Sequence, residues 1–555
     1  PEQYTGKGIR GMIYEGIYAT HTEFAANSYR STPIVLGSSR ASGHGNCTFG
    51  EVFARGARAK ARGMCPDGQG LYSNYSGLPT GWTRYSIVGQ LVDPNKSYRG
   101  MFQTASWGGS RTTLYTSTSA DMDKIIFDHD IPITQSQSNA GATSEPRASR
   151  PQAWAKNVIS VGGSRHYDTA SPADDKWAQS GSTGPAQDGR IKPELCAYYD
   201  SIYTTGYSST AYTSSFGGTS GATPMVCGHL GLSLELYTDG LFGHPMKPGG
   251  WKVRFENRPH FTTSKALLIA TAAPYTISPA IHTRYTQGWG FPNLQNMYDN
   301  RDRMLVLDEL DVLQNRKSVT YFVFVPGTLP ELKMTMTYAD LPLAPVTAYP
   351  HRINDLTLSA KGPEGAFFGN NGLISGNVST PGGAHDQLNT VENIFLSKPK
   401  RGIWEIVVTA SEVNQDSHVE TPAVDADFAL VVNGITGCRD KSGLELALVS
   451  QAAGDLRVKL TKLPSGWQAG RVLYSLDTTR PLGMGHFFGL AADPLTVITL
   501  SLPQQVGSPF GFSYTTQPVF PNAEHQFPAE VAGALKGLNV DALAYVFDAS
   551  GVILD

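Results

Sequence analysis

No apolar run in this chain approaches the roughly 20 residues that a bilayer-spanning helix needs, so no helical membrane span is expected. Cysteine is scarce. There are five, Cys47, Cys65, Cys196, Cys227 and Cys438, and none forms a C-x-x-C pair, which argues against a zinc site. They read as mostly small buried residues, with at least one free thiol because the count is odd. Charge is also low, at 16% of residues with a net of -3, so there is no basic surplus to suit nucleic acid or an anionic membrane. Heptads, low-complexity tracts and short repeats are lacking. The opening PEQYTGKG carries no initiator Met, basic n-region or apolar h-region. The expectation is a processed form that has lost a pro-segment.

What is present suits a large folded protein. Hydrophobic residues make up 40% of 555, enough for a sizeable core, and the length suggests two to four domains. Up to about residue 302, strand-like and helix-like segments alternate. Ile131–Ser136 and Asn157–Gly163 read as buried strands, and Ser119–Asp130, Gly221–Tyr237 and Lys265–Ala273 read as helices. This alternation predicts an α/β domain with a parallel sheet covered by helices on both faces. From 303 to 437 the pattern turns to period two, as in VTYFVFV, LKMTMTY and DFALVVNG, which predicts an antiparallel β-sandwich. The remainder, 438 to 555, reads as a further β-rich domain that includes LTVITLSL and a terminal hairpin.

Three loops carry candidate chemistry. GTSGATP, Gly218 to Pro224, sets Ser220 on a turn before a long apolar helix, where free N–H groups favour developing negative charge. Pro224 is expected in the first helical turn, and read alone Ser220 is an N-cap. SGHGNCTFG, Ser42 to Gly50, opens another apolar stretch with His44, which alone reads as a surface histidine. TQSQSNAG, Thr134 to Gly141, follows a strand and presents Asn139, alone a turn residue.

Taken in order, His44, Asn139 and Ser220 resemble the motifs of the subtilisin-like serine peptidases. The likeness extends to ASWGGS (Ala105–Ser110), NVISVGG, SGSTGPAQDGRIKPELCA (Ser180–Ala197) and GWGFPNL (Gly288–Leu294), which together span most of residues 1–302. The resemblance implies a three-layer α/β catalytic domain and a serine endopeptidase acting on polypeptides. Ser220 would be the nucleophile, His44 the general base and Asn139 the oxyanion donor. Extended peptide would pair along Ser106, Trp107, Gly108 and Gly109. It also implies a secreted, extracellular protein and no cofactor for the chemistry. The family's His-Gly-Thr-His reads His44-Gly45-Asn46-Cys47 here, so thiol reagents at Cys47 are expected to crowd the site.

The family's acid is the main departure. Gap-free alignment on Gly16, Ile17 and His21 sets Tyr14 where an Asp is usual, with Glu15 beside it. Adjacent strand residues face opposite ways, so Glu15 serves as the acid only if the chain bulges or turns there. A site without an acid, retained for peptide binding or structure, is the alternative, as is an acyl transferase or peptide ligase. Residues 303–437 resemble the β-sandwich appended to some long secreted subtilisins, which implies structural calcium. Asp355, Asp386 and Glu392 offer suitable oxygen ligands.

Overall fold

The computed structural model describes residues 3–141, 145–279, 281–344, 350–436, 444–450, 455–551 and 553–554. Cys438, and with it the expected boundary at 437/438, lies outside them. The first unit is built on a sheet of β1 (Arg10–Ile13), β2 (Ile34–Val35), β3 (Gln69–Tyr72), β4 (Phe102–Ala105), β5 (Ile133–Ser136), β6 (Ile159–Arg165), β7 (Lys176–Trp177) and β8 (Leu195–Tyr198). Spatial order is β2-β3-β1-β4-β5-β6-β7, with β8 also on β6, and every pairing but β6–β7 is parallel. Strand order reverses around β1. In an open α/β sheet such a reversal leaves a crevice beyond the carboxyl ends of the strands, which is where ligands bind. The ends of β1, β4 and β5 therefore locate the site before any side chain is considered.

Helices cover both faces. Helix α1 (Gly43–Phe53), α4 (Thr219–Thr238) and α5 (Phe261–Ala270) lie over one core, where Phe49, Val226, Leu230, Leu267 and Val161 are all buried. Helices α2 (Arg84–Val92) and α3 (Ser117–His129) close the other, around Leu71, Ile87, Ile126 and Ile133. A hairpin of β9 (Ile202–Thr205) and β10 (Tyr212–Phe216) leads into α4. The parallel sheet with helices on both faces is the arrangement expected from the alternation.

Two antiparallel sheets follow, as the period-two pattern predicts. One joins β11 (Met304–Gln314), β13 (Glu331–Thr337), β16 (Val391–Ser397) and β18 (Asp425–Asn433) in the order β11-β18-β13-β16. The other joins β12 (Ser318–Val325), β14 (Asp355–Gly362), β15 (Gly365–Phe368) and β17 (Gly402–Glu412) in the order β12-β17-β14-β15. They share a core that includes Met334, Leu358, Trp404 and Leu430. The outer face of the first sheet packs on α5, so Ala429, Val431 and Phe395 join the core of the α/β unit. Polar groups also cross this junction. Lys156 Nζ donates to Asp340 at 2.6 Å with neither side chain exposed, and Arg284 donates to the carbonyls of Leu373 and Gly376.

The last region forms two small antiparallel sheets around Val458, Trp467, Phe512 and Phe527, and ends in the expected hairpin, Asp541–Phe547 with Ile553–Leu554. One expectation fails. LTVITLSL lies in a helix, Pro494–Ser501, not a strand. Its β-branched residues favour a strand, but Asp493 caps the backbone N–H of Thr496 at 2.7 Å and Pro494 occupies the first helical position, and these start signals prevail. Residues 486–488 run along β12, an edge strand, with the Phe322 N–H donating to the His486 carbonyl and the Phe488 N–H to that of Phe322. No helix among the described residues is long and apolar enough to cross a membrane.

Candidate active site

Strand β1 ends at Ile13, and the chain bends through Tyr14 and Glu15. The bend turns the two side chains apart. Tyr14 enters the core beside α2, 2% exposed, with the Arg84 guanidinium 5.1 Å from its ring centre. Glu15 goes the other way and its carboxylate meets His44, with Oε2 to Nδ1 at 2.5 Å. The second oxygen, Oε1, accepts the Ser106 N–H at 3.2 Å. Glu15, not Tyr14, therefore faces the histidine. Tyr14 meets Trp107 instead, its carbonyl accepting the indole N–H at 2.7 Å and its ring packing on the indole with centroids 5.6 Å apart.

His44 reaches this carboxylate because α1 begins there. Ser42 caps the helix, accepting from the Gly45 N–H, and Gly45 lies directly on β1's continuation. A Cβ at Gly45 would stand 2.2 Å from the Gly16 carbonyl oxygen and 2.6 Å from Glu15 Cβ, so only glycine lets the helix approach this closely. Burial works against charge on His44, but the Glu15 charge and hydrogen bond outweigh it and raise the imidazole pKa above its ordinary value. The Phe216 ring packs edge-on to the imidazole, with centroids 5.3 Å apart.

Ser220 is the second residue of α4, behind Gly218, whose φ of 78° suits glycine. A Cβ there would also press on Asn139 Nδ2 at 3.2 Å. The Ser220 hydroxyl donates to the Ser106 carbonyl at 3.1 Å, and the Ser106 hydroxyl donates to the Ser220 carbonyl at 2.8 Å. The second bond has a cause in the sequence. Pro224 sits inside α4, not in its first turn, so the Ser220 carbonyl has no helical N–H partner. Ser106 supplies the missing donor.

Asn139 follows Ser138, a non-glycine residue held at φ 117°. Its Oδ1 accepts the Thr219 N–H at 3.0 Å, so its amide N–H group is the part left to act as a donor. Replacing Asn139 with Ala is expected to lower kcat by about 10²–10³ with little change in KM, as for loss of one oxyanion donor. Steady-state kinetics on a peptide amide test it.

Of the expected peptide-pairing stretch, β4 itself stops at Ala105 and Ser106–Gly109 continue outside the sheet. Trp107 stacks on Tyr75 at 4.1 Å, a neighbour the sequence did not point to. The Gly109 N–H and carbonyl are engaged by Gln152 and Arg150, and the Trp107 carbonyl by Gln135, whereas Gly108 keeps both backbone groups open among the described residues.

Cys47 is fully buried against Ile202 and Phe216, not open to the cleft. Burial, then the charges of Glu51 and Glu15, push its thiol up to about 12. Only about one part in 10⁴ is thiolate at pH 8, so iodoacetamide is expected to leave activity intact and to mark Cys47 only after unfolding. Mass mapping of the alkylated protein checks this, and it reverses the inhibition expected from the sequence. Cys65, Cys196 and Cys227 are likewise free and buried.

Of the candidate calcium ligands, Asp355 Oδ1 and Glu392 Oε1 are buried without a hydrogen-bond partner among the described residues. Asp386 accepts from Asn370, Leu388 and Asn389, and Glu392 from the Leu358 N–H. Among the described residues no group of three acidic, histidine or cysteine side chains is placed to hold a metal ion.

A serine at the head of a helix, a histidine held by a buried carboxylate and an asparagine amide are gathered at the switch point of a parallel sheet, the kind of arrangement that serine hydrolases of α/β class use. Residues 22–290, just under half of the chain, match the model of the subtilase family, and this domain belongs to that family of serine peptidases. The match takes in His44, Asn139 and Ser220 but begins after Glu15. No curated protein matches the chain significantly by sequence. Among solved structures, the prenylagaramide maturation protease PagA is similar at 16% identity and a TM-score of 0.40, covering 54% of this chain and 95% of its own. The patellamide maturation protease PatA is similar at 18% identity and a TM-score of 0.38, covering 53% and 97%.

Proposed function

We propose that the chain is a serine endopeptidase in which Ser220, His44 and Glu15 act as nucleophile, base and acid. Ser220 Oγ attacks the scissile carbonyl carbon while its proton passes to His44 Nε2. The oxyanion is held by the Asn139 amide and the Ser220 N–H. The C–N bond then breaks, the His44 proton goes to the leaving amine, and an acyl-enzyme remains on Ser220. Water, deprotonated by His44, releases the acid and restores the hydroxyl. Glu15 orients the imidazole and balances its positive charge. The acyl side of the peptide pairs with the open backbone groups of Gly108 and with the Ser106 carbonyl, its side chains meeting Trp107 and Tyr75. An extracellular setting and removal of a pro-segment belong to the same reading.

The observation that supports it best is the 2.5 Å contact between His44 Nδ1 and a carboxylate from the neighbouring position to the one where the family's acid is expected. The test is labelling with a fluorophosphonate, followed by mass mapping, beside casein hydrolysis. An adduct on Ser220, lost in Ser220→Ala, is expected. A protein that neither labels nor cleaves would be a peptide-binding relative with an impaired site. Transfer of the acyl group to an added amine in preference to water would make it a ligase.

A further inference from the structure

A cavity of about 470 Å³ opens beyond His44, and the endopeptidase reading leaves it without an occupant. Its walls are His44, the approach to Ser220 at Phe216–Gly218, the 199–201 turn and Arg165 at the carboxyl end of β6. None of Ser106–Gly109 lines it, nor does Asn139. It therefore lies across Ser220 and His44 from the acyl side. On that reading His44 hands its proton to the departing amine, so the cavity faces the departing half of the substrate.

Its charges are unevenly matched. Asp200 is committed, accepting His166 Nδ1 at 3.0 Å, the His166 N–H at 2.9 Å and the Tyr167 N–H at 3.2 Å. Arg165 is not committed. Its Nε is buried with no acceptor, and its guanidinium makes no ion pair among the described residues. A buried donor without an acceptor is costly, and an incoming acceptor recovers that cost. The planar guanidinium matches a carboxylate in two-point geometry. Ser201 and Ser214 bring hydroxyl groups to the same cavity lining. Asp200 in the same cavity disfavours a doubly charged phosphate.

We propose that Arg165 receives a carboxylate of the substrate on the leaving-group side of the scissile bond, and so sets a preference for acidic leaving peptides. The inference rests on the endopeptidase reading. The carboxylate comes either from an Asp or Glu side chain or from a free C-terminus close to the cut.

Internally quenched peptides with one common acyl side test it. They carry Glu, Gln or Lys at the first, second or third leaving-side position, and a short pair ends in a free carboxylate or an amide. At one of these positions kcat/KM is expected to be about tenfold higher for Glu than for Lys, or for free acid than for amide, and the responsive pair identifies the source. In Arg165→Gln that ratio is expected to fall to about one, and in Arg165→Lys to be partly kept. Each ratio is taken within one enzyme, which cancels any change in folding or turnover. A coumarylamide with the same acyl side has no leaving peptide and reports the wild type's peptidase chemistry alone. Cleavage of all the peptides without charge discrimination, or discrimination that survives Arg165→Gln, overturns this inference only. No cleavage of coumarylamide or peptides overturns the peptidase reading, and this inference with it.

Discussion

Glu15→Gln is expected to lower kcat/KM by about 10⁴ while the protein still folds. The amide is nearly isosteric with the carboxylate and can still accept the Ser106 N–H that Glu15 Oε1 accepts at 3.2 Å, so little packing is lost. What goes is the negative charge against His44 Nδ1, and with it the imidazolium's stabilisation and the tautomer that presents Nε2 to the serine. In the serine protease triad, replacing the acid by its amide has an effect of that size. The pH profile gives a second, independent reading. Glu15 raises the His44 pKa against the pull of burial, and a base works only when unprotonated. Activity in the wild type should therefore climb as pH rises through a histidine value above the ordinary one. Without the charge the pKa drops, so the acid limb of the residual activity should move to lower pH. Near-normal turnover in the variant with an unmoved limb would remove Glu15 from the acid's role. Tyr14→Phe is the matched control and should leave both untouched, because its ring lies in the core beside α2.

The second large effect concerns stability. Lys156→Met should cost about 3–5 kcal/mol, the range for stranding one member of a buried ion pair. Lys156 and Asp340 are both fully buried, and Lys156 also donates to the carbonyls of Leu341 and His351. Methionine fills the space but leaves Asp340, among the described residues, with only the backbone N–H donors of Ile353 and Asn354. Because one partner belongs to the α/β unit and the other to the loop after β13, the loss should appear as a lower urea midpoint for the whole α/β unit, followed by Trp fluorescence. Lys124→Ala removes an exposed pair with Asp128 and should cost no more than about 0.5 kcal/mol. A Lys156→Met loss below about 1 kcal/mol would mean that this buried pair contributes little to stability.

Much of this arrangement was legible in the residues. Strand and helix alternation predicts the parallel sheet, and the glycine-flanked His44, Asn139 and Ser220 mark three loops that the fold brings to one crevice. These signals are local, because a tight approach demands glycine wherever it occurs. The direction of Glu15 was not local. It depends on a bend after Ile13 and on α1 arriving close enough to need Gly45, and neither is encoded within the segment itself. Pro224 misled for a similar reason: its cost inside a helix is offset by a hydroxyl 114 residues away in sequence, at Ser106. In LTVITLSL, side-chain preference for a strand lost to the capping of Asp493. The acidic residues Asp355, Asp386 and Glu392 have suitable chemistry for calcium, but spacing in the sequence does not say whether their oxygens converge.

The paired bonds between Ser106 and Ser220 have a consequence for the resting enzyme. The carbonyl that accepts the Ser220 hydroxyl is the one that an extended peptide's N–H would claim on entering. Until that happens the serine is parked, and solvent meets an occupied hydroxyl. A bound peptide evicts it by competing for the same oxygen, and only then is the hydroxyl free to turn toward His44. On the endopeptidase reading, arrival of substrate would thus arm the nucleophile.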